Sequence, residues 1–142
     1  MPVVKIRRLR DDIKPPSYAH PGDAGMDLFA PEPFTLRANG RYLVHMGFAT
    51  EFPEGYMMEI RDKGGLAALH GIHVLGGIVD TGFRGEWVVT LHNTSDSDYH
   101  FEKGEKIAQA ILTRIDRATL EETDELQDHT RGAGHHGSSG RF

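Results

Sequence analysis

The chain has 142 residues and a formal net charge of −5 with neutral histidines, and it contains 17 glycines, 7 prolines and no cysteine. This length fits one domain with its own core, and the glycine and proline content predicts many short strands rather than a helical bundle. The composition excludes disulfides and thiolate metal sites, and the acidic charge argues against a general nucleic-acid binder.

Membrane and export signals are not found in the sequence. No apolar run approaches the length of a membrane span, and the first residues, Met1 to Lys5, show no signal-peptide pattern. These features predict a soluble cytoplasmic protein with no membrane partner.

Short strands separated by turn signals follow one another along the chain. Apolar and β-branched runs predict strands at 3–6, 22–30, 42–50, 56–60, 87–91, 99–102 and 106–115. Pro15 and Pro16 make residues 11–21 a loop, and 38–41 contains an Asn-Gly turn. The best helical patch is 66–70, ended by Gly71. Residues 118–126 fit either a short helix or an edge strand. This order predicts an all-β fold, a sandwich or jelly roll.

One carboxylate stands at a tight turn in the middle of the chain. Two apolar residues lead to Asp80 and the Thr81-Gly82 pair, an aromatic ring follows at Phe83, and the strand after it predicts a hairpin with Asp80 at its lip. A carboxylate held beside a ring suits a general base next to a pocket for a flat ligand. Taken alone, the stretch favours an Asp that shapes its own turn through backbone hydrogen bonds, and the general base gains support only from other stretches.

Two further stretches suit an anionic ligand. A glycine loop with a cation, Lys63-Gly64-Gly65, opens the helical patch, and free N–H groups at such a point can face an anion. Gln109 is a polar amide inside the otherwise apolar run 107–112, so it needs a protein or ligand partner. The glycine-rich tail 131–142 cannot pack a core, yet it can order around phosphates.

Five separated stretches, in chain order, resemble the five motifs of the trimeric dUTP pyrophosphatase family. Ala24 to Ala30 is similar to A-G-x-D-L-x-A, and Lys63 to Ala67 is similar to R-S-G-L-A. Gly77 to Gly85 is similar to G-x-I-D-x-x-Y-x-G, and Gly104 to Gln109 is similar to G-D-R-I-A-Q. Arg131 to Gly140 is similar to R-G-x-G-G-F-G-S-T-G. Five motifs in order and spacing are a far more specific signal than any single one.

The resemblance implies a jelly-roll or distorted β-barrel sandwich with one short helix and an extended glycine-rich C-terminal arm. It implies a β domain at residues 1–128 and an arm at 129–142 that closes as a lid over the active site. It also implies a homotrimer with three active sites at subunit interfaces. Each site would hydrolyse dUTP to dUMP and pyrophosphate, with Mg²⁺ on the triphosphate.

The resemblance also assigns roles to single residues. Asp80 matches the general base for the attacking water, and Asp27 matches the acid that holds magnesium through coordinated water. Phe83 matches the ring beneath the deoxyribose, and His136 matches the ring that stacks on uracil. The other positions that match substrate-binding residues are Lys63, Gly64, Gly65, Gln109, Arg131, Gly137, Ser138 and Ser139 at the phosphates and arm, and Gly76, Gly77, Ile78 and Val79 at the uracil edge.

Four of the assigned substrate-binding positions depart from the family pattern. Lys63 replaces arginine and loses a bidentate fork, while Gly64 replaces a serine that would donate a hydrogen bond near the bridging oxygen. Phe83 replaces tyrosine, and His136 replaces phenylalanine. The adjacent histidines of the tail are interpreted as non-ligands, because a flexible glycine segment rarely fixes a coordination geometry.

Two alternatives to a dUTP pyrophosphatase remain open. A dCTP deaminase shares the fold and has phenylalanine in its third motif, but its catalytic glutamate falls where this chain has Thr90. The second alternative is a catalytically weak homologue that binds nucleotide as a regulator, for which Gly64 is the main support.

Overall fold

Eleven strands and one short helix form the protein, in a computed structural model that describes residues 1–142. The helix is α1 (Gly64–His70). The strands are β1 (Lys5–Arg8), β2 (Met26–Phe29), β3 (Phe34–Leu36), β4 (Arg41–His45), β5 (Phe48–Glu51), β6 (Tyr56–Arg61), β7 (Ile72–Leu75), β8 (Ile78–Val79), β9 (Val88–Asn93), β10 (Tyr99–Phe101) and β11 (Lys106–Arg114). The all-β prediction with one short helix is confirmed, and no helix is long and apolar enough to cross a membrane.

The strands pair into four antiparallel sheets. The largest has the order β2-β11-β6-β8, and the next has the order β4-β9-β7. Two smaller sheets pair β1 with β5 and β10 with β3. The long strand β11 lies between β2 and β6, so that Gln109 is opposite Asp27 on one side and Arg61 on the other. This register brings three chain-distant polar residues into one row.

A cluster of 21 buried apolar residues forms the core. Trp87 is the largest of the fully buried side chains, with its ring centroid 5.1 Å from that of Phe48. Its indole N–H donates a 3.0 Å hydrogen bond to the buried Thr50 hydroxyl, so burial leaves no polar atom without a partner. Burial of a side chain of this size contributes about 1.5–3 kcal/mol. Trp87 therefore fixes the chain just after the Asp80 turn.

The prediction of one continuous strand at 42–50 is wrong. This segment is broken into β4 and β5 at Gly47, whose φ of 74° lies in the left-handed region. A Cβ at this glycine would lie 3.0 Å from Ile13, so the break is also a close packing contact.

The hairpin predicted around Asp80 is also wrong. Strand β8 pairs with β6, whereas β9 pairs with β4 and β7 in another sheet. The chain between them, 80–87, therefore crosses from one sheet to the next. Each strand finds its partner through long-range packing, which local turn signals do not specify.

Smaller differences concern the ends of elements. The first strand begins at Lys5 rather than residue 3, and the helix begins two residues before the predicted patch. Gly71 ends the helix in the left-handed conformation, with φ of 65°, as predicted. Residues 118–126 form neither helix nor strand. In β11 only Ile107, Ala108 and Ala110 are fully buried, Gln109 and residues 111–113 are partly buried, and both end residues are exposed.

Candidate active site

The Asp80 carboxylate lies at the start of a turn that other residues hold in place. Asp80 is exposed, and its side chain takes part in none of the hydrogen bonds or ion pairs within the chain. The Thr81 hydroxyl instead donates to the carbonyls of Phe52, at 2.9 Å, and Pro53, at 3.2 Å. Arg84 Nη1 donates to the Thr81 carbonyl at 2.6 Å. The turn that carries the carboxylate is therefore held in place, while both carboxylate oxygens stay available.

A shallow pocket of about 240 Å³ adjoins this carboxylate. Its lining includes Phe83, which is 44% exposed, and the chain at Gly85 packs directly against the Phe83 ring. Glu86 lies on the same wall, and its Oε1 is 2.9 Å from His45 Nδ1. An exposed ring beside a free carboxylate is the combination that the sequence predicted at this turn.

The second carboxylate, Asp27, has the opposite surroundings. It is 3% exposed, with Oδ1 2.6 Å from Lys63 Nζ and Oδ2 2.7 Å from Lys106 Nζ. Burial opposes its ionisation, but the hydrogen bonds from Lys106 and Lys63 outweigh burial and hold the pKa of Asp27 below its ordinary value. Asp27 is therefore an anion that holds two cations at one end of the large sheet.

Gln109 belongs to the same cluster as Asp27. Its Nε2 donates a 2.8 Å hydrogen bond to the carbonyl of Asp62. The Gln109 amide, which was predicted to need a protein or ligand partner, therefore has a partner within the protein. On its other side the chain passes so closely at Gly25 that a Cβ there would overlap the Gln109 side chain. These two contacts fix the amide directly beside Asp27.

The start of α1 provides backbone N–H groups at this cluster. Lys63 is the N-cap residue, and its side chain makes no capping bond. A Cβ at Gly64 or Gly65 would meet nothing within 4 Å, so the loop is open on this side. Beside this lysine, the N–H groups of Gly64 and Gly65 donate to no group of the chain.

The glycine pair before β8 has a different arrangement from the one expected. Gly76 and Gly77 both have positive φ, of 71° and 92°. The Gly77 carbonyl accepts a 2.6 Å hydrogen bond from Ile60 N, so this group already has a partner. Because an antiparallel strand alternates its bonding direction, the N–H and C=O of Ile78 point to the unpaired edge of the sheet.

The tail residues lie apart from both carboxylates. The hydrogen bonds of 129–142 join tail residues to one another, such as Arg131 Nε to the Gly134 carbonyl at 3.2 Å. His136, Gly137, Ser138 and Ser139 are all exposed. The residues predicted in the arm therefore form no site with the rest of the same chain.

The structure thus divides the predicted site residues into three groups. Lys63, Gln109 and Asp27 lie together, whereas Asp80 follows the far end of the same sheet. In the register of the sheet, Val79 pairs with Met58 of β6 and Gln109 pairs with Arg61 of the same strand. Met58 and Arg61 are three residues, or about 10 Å, apart along β6. The arm forms the third group.

Several residues at these positions were not found by sequence reasoning. Lys106 stands inside the fourth motif, and its replacement of arginine, as at Lys63, was an available signal. Asp62 directly precedes the second motif, but only the fold brings it to β7 and β11. Thr81 and Glu86 gave no signal beyond their places in the turn.

The fold and these clusters define an all-β protein with a cation-rich corner, suited to phosphate groups, and a separate carboxylate turn. A family model described as dUTPase matches residues 11–140, and the chain belongs to the dUTPase family.

Relatives of known name support this membership. The chain is 46% identical over 140 residues to the deoxyuridine 5'-triphosphate nucleotidohydrolase of Thermobifida fusca (strain YX), covering 96% of this chain and 78% of that protein. It is 39% identical over 140 residues to the protein of the same name from Clostridium tetani (strain Massachusetts / E88), covering 97% of each.

Solved structures show the same fold at lower identity. A mutant Staphylococcus bacteriophage 80alpha dUTPase with dUpNHpp superposes with a TM-score of 0.91 at 23% identity, over 97% of this chain and 98% of that one. A mutant dUTPase from phage phi11 of S. aureus, described with a structural Mg(II) ion, gives 0.80 at 20% identity, over 87% of this chain and 97% of that one.

Proposed function

We propose that this chain hydrolyses dUTP to dUMP and pyrophosphate by attack of water on the α-phosphorus. Its family and the names of its curated relatives support this activity. The observation that carries the mechanism is the Asp80 carboxylate, which is held on a fixed turn without a partner of its own. The reaction lowers dUTP and supplies the precursor of dTMP, which suits a cytoplasmic location.

Asp80 acts in this proposal as the general base. Its carboxylate accepts a hydrogen bond from the attacking water and takes the proton as the bond to phosphorus forms. The leaving group is pyrophosphate, so the electron pair of the broken P–O bond stays on the bridging oxygen between the α- and β-phosphates. A base with no protein partner needs to break no bond before it acts.

The nucleoside half is proposed to lie beside Asp80. The outward N–H and C=O of Ile78 contact the uracil edge, flanked by Gly76, Gly77 and Val79. The Gly77 carbonyl keeps its bond to Ile60, so its part is to shape the strand. Phe83 lies beneath the deoxyribose, and the exposed His136 ring of the arm stacks on the base, next to Gly137.

The triphosphate is proposed to lie at the cluster of Asp27, Lys63, Lys106 and Gln109, which we call the Asp27 corner. Lys63, Gln109 and the N–H groups of Gly64 and Gly65 contact phosphate oxygens, and Arg131, Ser138 and Ser139 of the arm complete the site. These groups neutralise charge and orient the phosphates, which is most of what phosphoryl transfer requires of a protein.

The donors at this corner fit a magnesium ion that arrives with the triphosphate. No three histidine or acidic side chains converge in the chain, and magnesium commonly uses one or two carboxylates, water and substrate phosphates. Asp27 would hold the ion through water molecules, since both of its oxygens already contact lysines. When bound, Mg²⁺ neutralises charge that develops on the phosphate oxygens.

A homotrimer is proposed because one chain does not bring its own site groups together. The Asp80 turn and the Asp27 corner lie at opposite ends of one sheet, and the arm contacts neither. Adjacent copies can place one chain's turn against another's corner. Sedimentation equilibrium should give three chains per particle, and a monomer at micromolar concentration would contradict the proposal.

The arm 129–142 is proposed to close as a lid over a site built on the 1–128 domain. Its residues are exposed and contribute nothing to the core. Removal of the chain from Arg131 onward should therefore lower the rate sharply and leave the melting temperature unchanged. A truncated protein that does not fold would show that the arm is a structural strand.

The activity is tested by pyrophosphate release from dUTP, dTTP, dCTP and UTP in the presence of Mg²⁺. Release from dUTP well above the other three is expected. Tight nucleotide binding without release would favour the regulatory homologue, and ammonia from dCTP would favour the deaminase. Neither alternative is favoured, since relatives over nearly the whole chain are named nucleotidohydrolases.

A further inference from the structure

Asp62 joins three strands at the corner proposed for the triphosphate. Its Oδ1 accepts the backbone N–H of Val74 at 2.6 Å, and its Oδ2 is 2.8 Å from His73 Nδ1, both on β7. Its backbone carbonyl accepts Nε2 of Gln109 on β11 at 2.8 Å. One residue at the end of β6 is therefore bonded to both β7 and β11.

Between Asp62 and Leu66, whose side chain packs against the core, few contacts hold the chain. Lys63 comes next and reaches the Asp27 carboxylate, and α1 then begins with two glycines that have open space around them. Glycine gives the backbone more conformational freedom than any other residue. On the N-terminal side of Leu66, the place of Lys63 and of the first N–H groups of α1 therefore depends on Asp62 and on the Lys63–Asp27 pair.

The same residue determines where the Gln109 amide lies. The amide is held between the Asp62 carbonyl and the closely approaching chain at Gly25. A shift of Asp62 would move Gln109 through its carbonyl and Lys63 through the chain. Two groups proposed to contact phosphate thus share one anchor, although they are 46 positions apart in the sequence.

We propose that Asp62, held by His73, is a positioning residue for triphosphate binding that keeps Lys63 and Gln109 directed at the same phosphate group. This inference rests on the proposed function of the corner. Asp62 touches no substrate in it and acts through its neighbours. His73 orients the carboxylate by holding Oδ2, which leaves Oδ1 for the Val74 N–H.

The test compares two ligands in the assembled full-length protein with Mg²⁺. One is dUpNHpp, which carries the whole triphosphate, and the other is deoxyuridine, which carries no phosphate. Asp62→Ala should weaken dUpNHpp binding about tenfold and leave deoxyuridine binding within about twofold, since only phosphate contacts lose their alignment. A general loss of stability would change both ligands alike, so the ratio separates positioning from folding.

Asp98 provides a matched control. It likewise bonds one backbone N–H and one side-chain nitrogen, with Oδ1 accepting the Ala38 N–H at 2.8 Å and Oδ2 accepting Nη1 of Arg37 at 3.2 Å. Asp98→Ala should lower the melting temperature about as much as Asp62→Ala and leave the ligand ratio unchanged. The same change of ratio in both variants would overturn the proposal.

Milder variants keep the test valid if Asp62→Ala does not fold. Asp62→Asn retains an oxygen for the Val74 N–H and should give an intermediate ratio. His73→Ala removes only the half-exposed imidazole that contacts Asp62 Oδ2, and it should weaken dUpNHpp binding about twofold to threefold. Equal affinities of wild type and both variants for dUpNHpp would overturn the inference. Failure of the wild type to release pyrophosphate from dUTP would instead overturn the proposed function.

Discussion

Asp80 and Asp27 are the same residue type in opposite surroundings. Asp80 is exposed and bonds to nothing in the chain, while Asp27 is 3% exposed and is bonded to two lysines. The Asp80 turn is held by Thr81 and Arg84, so its carboxylate takes no part in the structure. The Asp27 carboxylate holds Lys63 and Lys106 together.

The contrast shows that neighbours decide what a carboxylate can do. A carboxylate that already accepts bonds from two cations is a weak base, because its charge is stabilised. A carboxylate on a fixed turn with no partner in the chain has both oxygens available to accept a hydrogen bond from water. The two regions should therefore respond differently to the same substitution, Asp to Asn.

The largest effect is expected at Asp80. Asp80→Asn should lower kcat by about 10²–10⁴-fold, because the amide cannot take the proton of the attacking water. Binding of dUpNHpp should stay within about tenfold, and the melting temperature should not change. Pyrophosphate release, analogue titration and a thermal melt measure the three quantities. Full activity would mean that Asp80 is only a turn residue.

Asp27→Asn should act on stability first. Loss of the charge should lower the free energy of unfolding at neutral pH by about 1–3 kcal/mol, because two charged hydrogen bonds weaken. The folded-state pKa of Asp27 lies below its ordinary value of 3.8, so its stabilising contribution is full above that pH and is lost as the pH falls further.

Urea unfolding at several pH values checks this prediction. The difference in stability between wild type and Asp27→Asn should shrink below about pH 4. A difference that is constant from neutral to acid pH would show that the charge of Asp27 contributes nothing to stability. The carboxylates of Asp27 and Asp80 would then not differ in their contribution to stability.

A substitution at the Asp27 corner should also increase the activity toward dUTP. Gly64→Ser places a hydroxyl where a Cβ meets nothing within 4 Å, at a residue without positive φ. The new donor should raise kcat/KM for dUTP about tenfold, less than the loss seen when such a donor is removed from an enzyme that evolved with it. Gly64→Ala is the control and should leave the rate unchanged. Equal rates in the two variants would show that no hydroxyl is needed.

Two glycines test the pocket on the Asp80 side. A Cβ at Gly85 would lie 2.7 Å from the Phe83 ring, whereas a Cβ at Gly82 would meet nothing within 4 Å. Gly85→Ala should displace the ring and raise KM for dUTP about threefold to tenfold, since it overpacks the contact. Gly82→Ala should leave KM unchanged. Equal KM values in the two variants would remove Phe83 from the nucleoside site.

The smallest effect concerns the arm. Histidine as a residue type can carry a positive charge, whereas phenylalanine never does. KM for dUTP should therefore depend on pH differently in His136→Phe. A contact of this kind changes affinity about twofold to fivefold. Parallel KM profiles from about pH 5.5 to 8.5 would place the ring away from the base.

Local features of the fold were predictable from the sequence. The helix end at Gly71 depends on the left-handed φ that glycine permits, whereas the predicted turn at Thr81-Gly82 forms without a positive φ. The motifs likewise indicated both carboxylates, the family and its chemistry. The apolar run 107–112 indicated a strand, but which of its residues are fully buried depends on the elements that pack against it.

The sequence by itself determined the strand-rich class, the helix end and the residue types of the site. Tertiary structure alone decided that β8 and β9 lie in different sheets, that Lys106 and Lys63 share one buried carboxylate, and that Asp62 anchors Gln109. The physical reason is that these pairings join residues far apart in the chain. Their free energy comes from burial and register across strands, which short-range propensity does not encode.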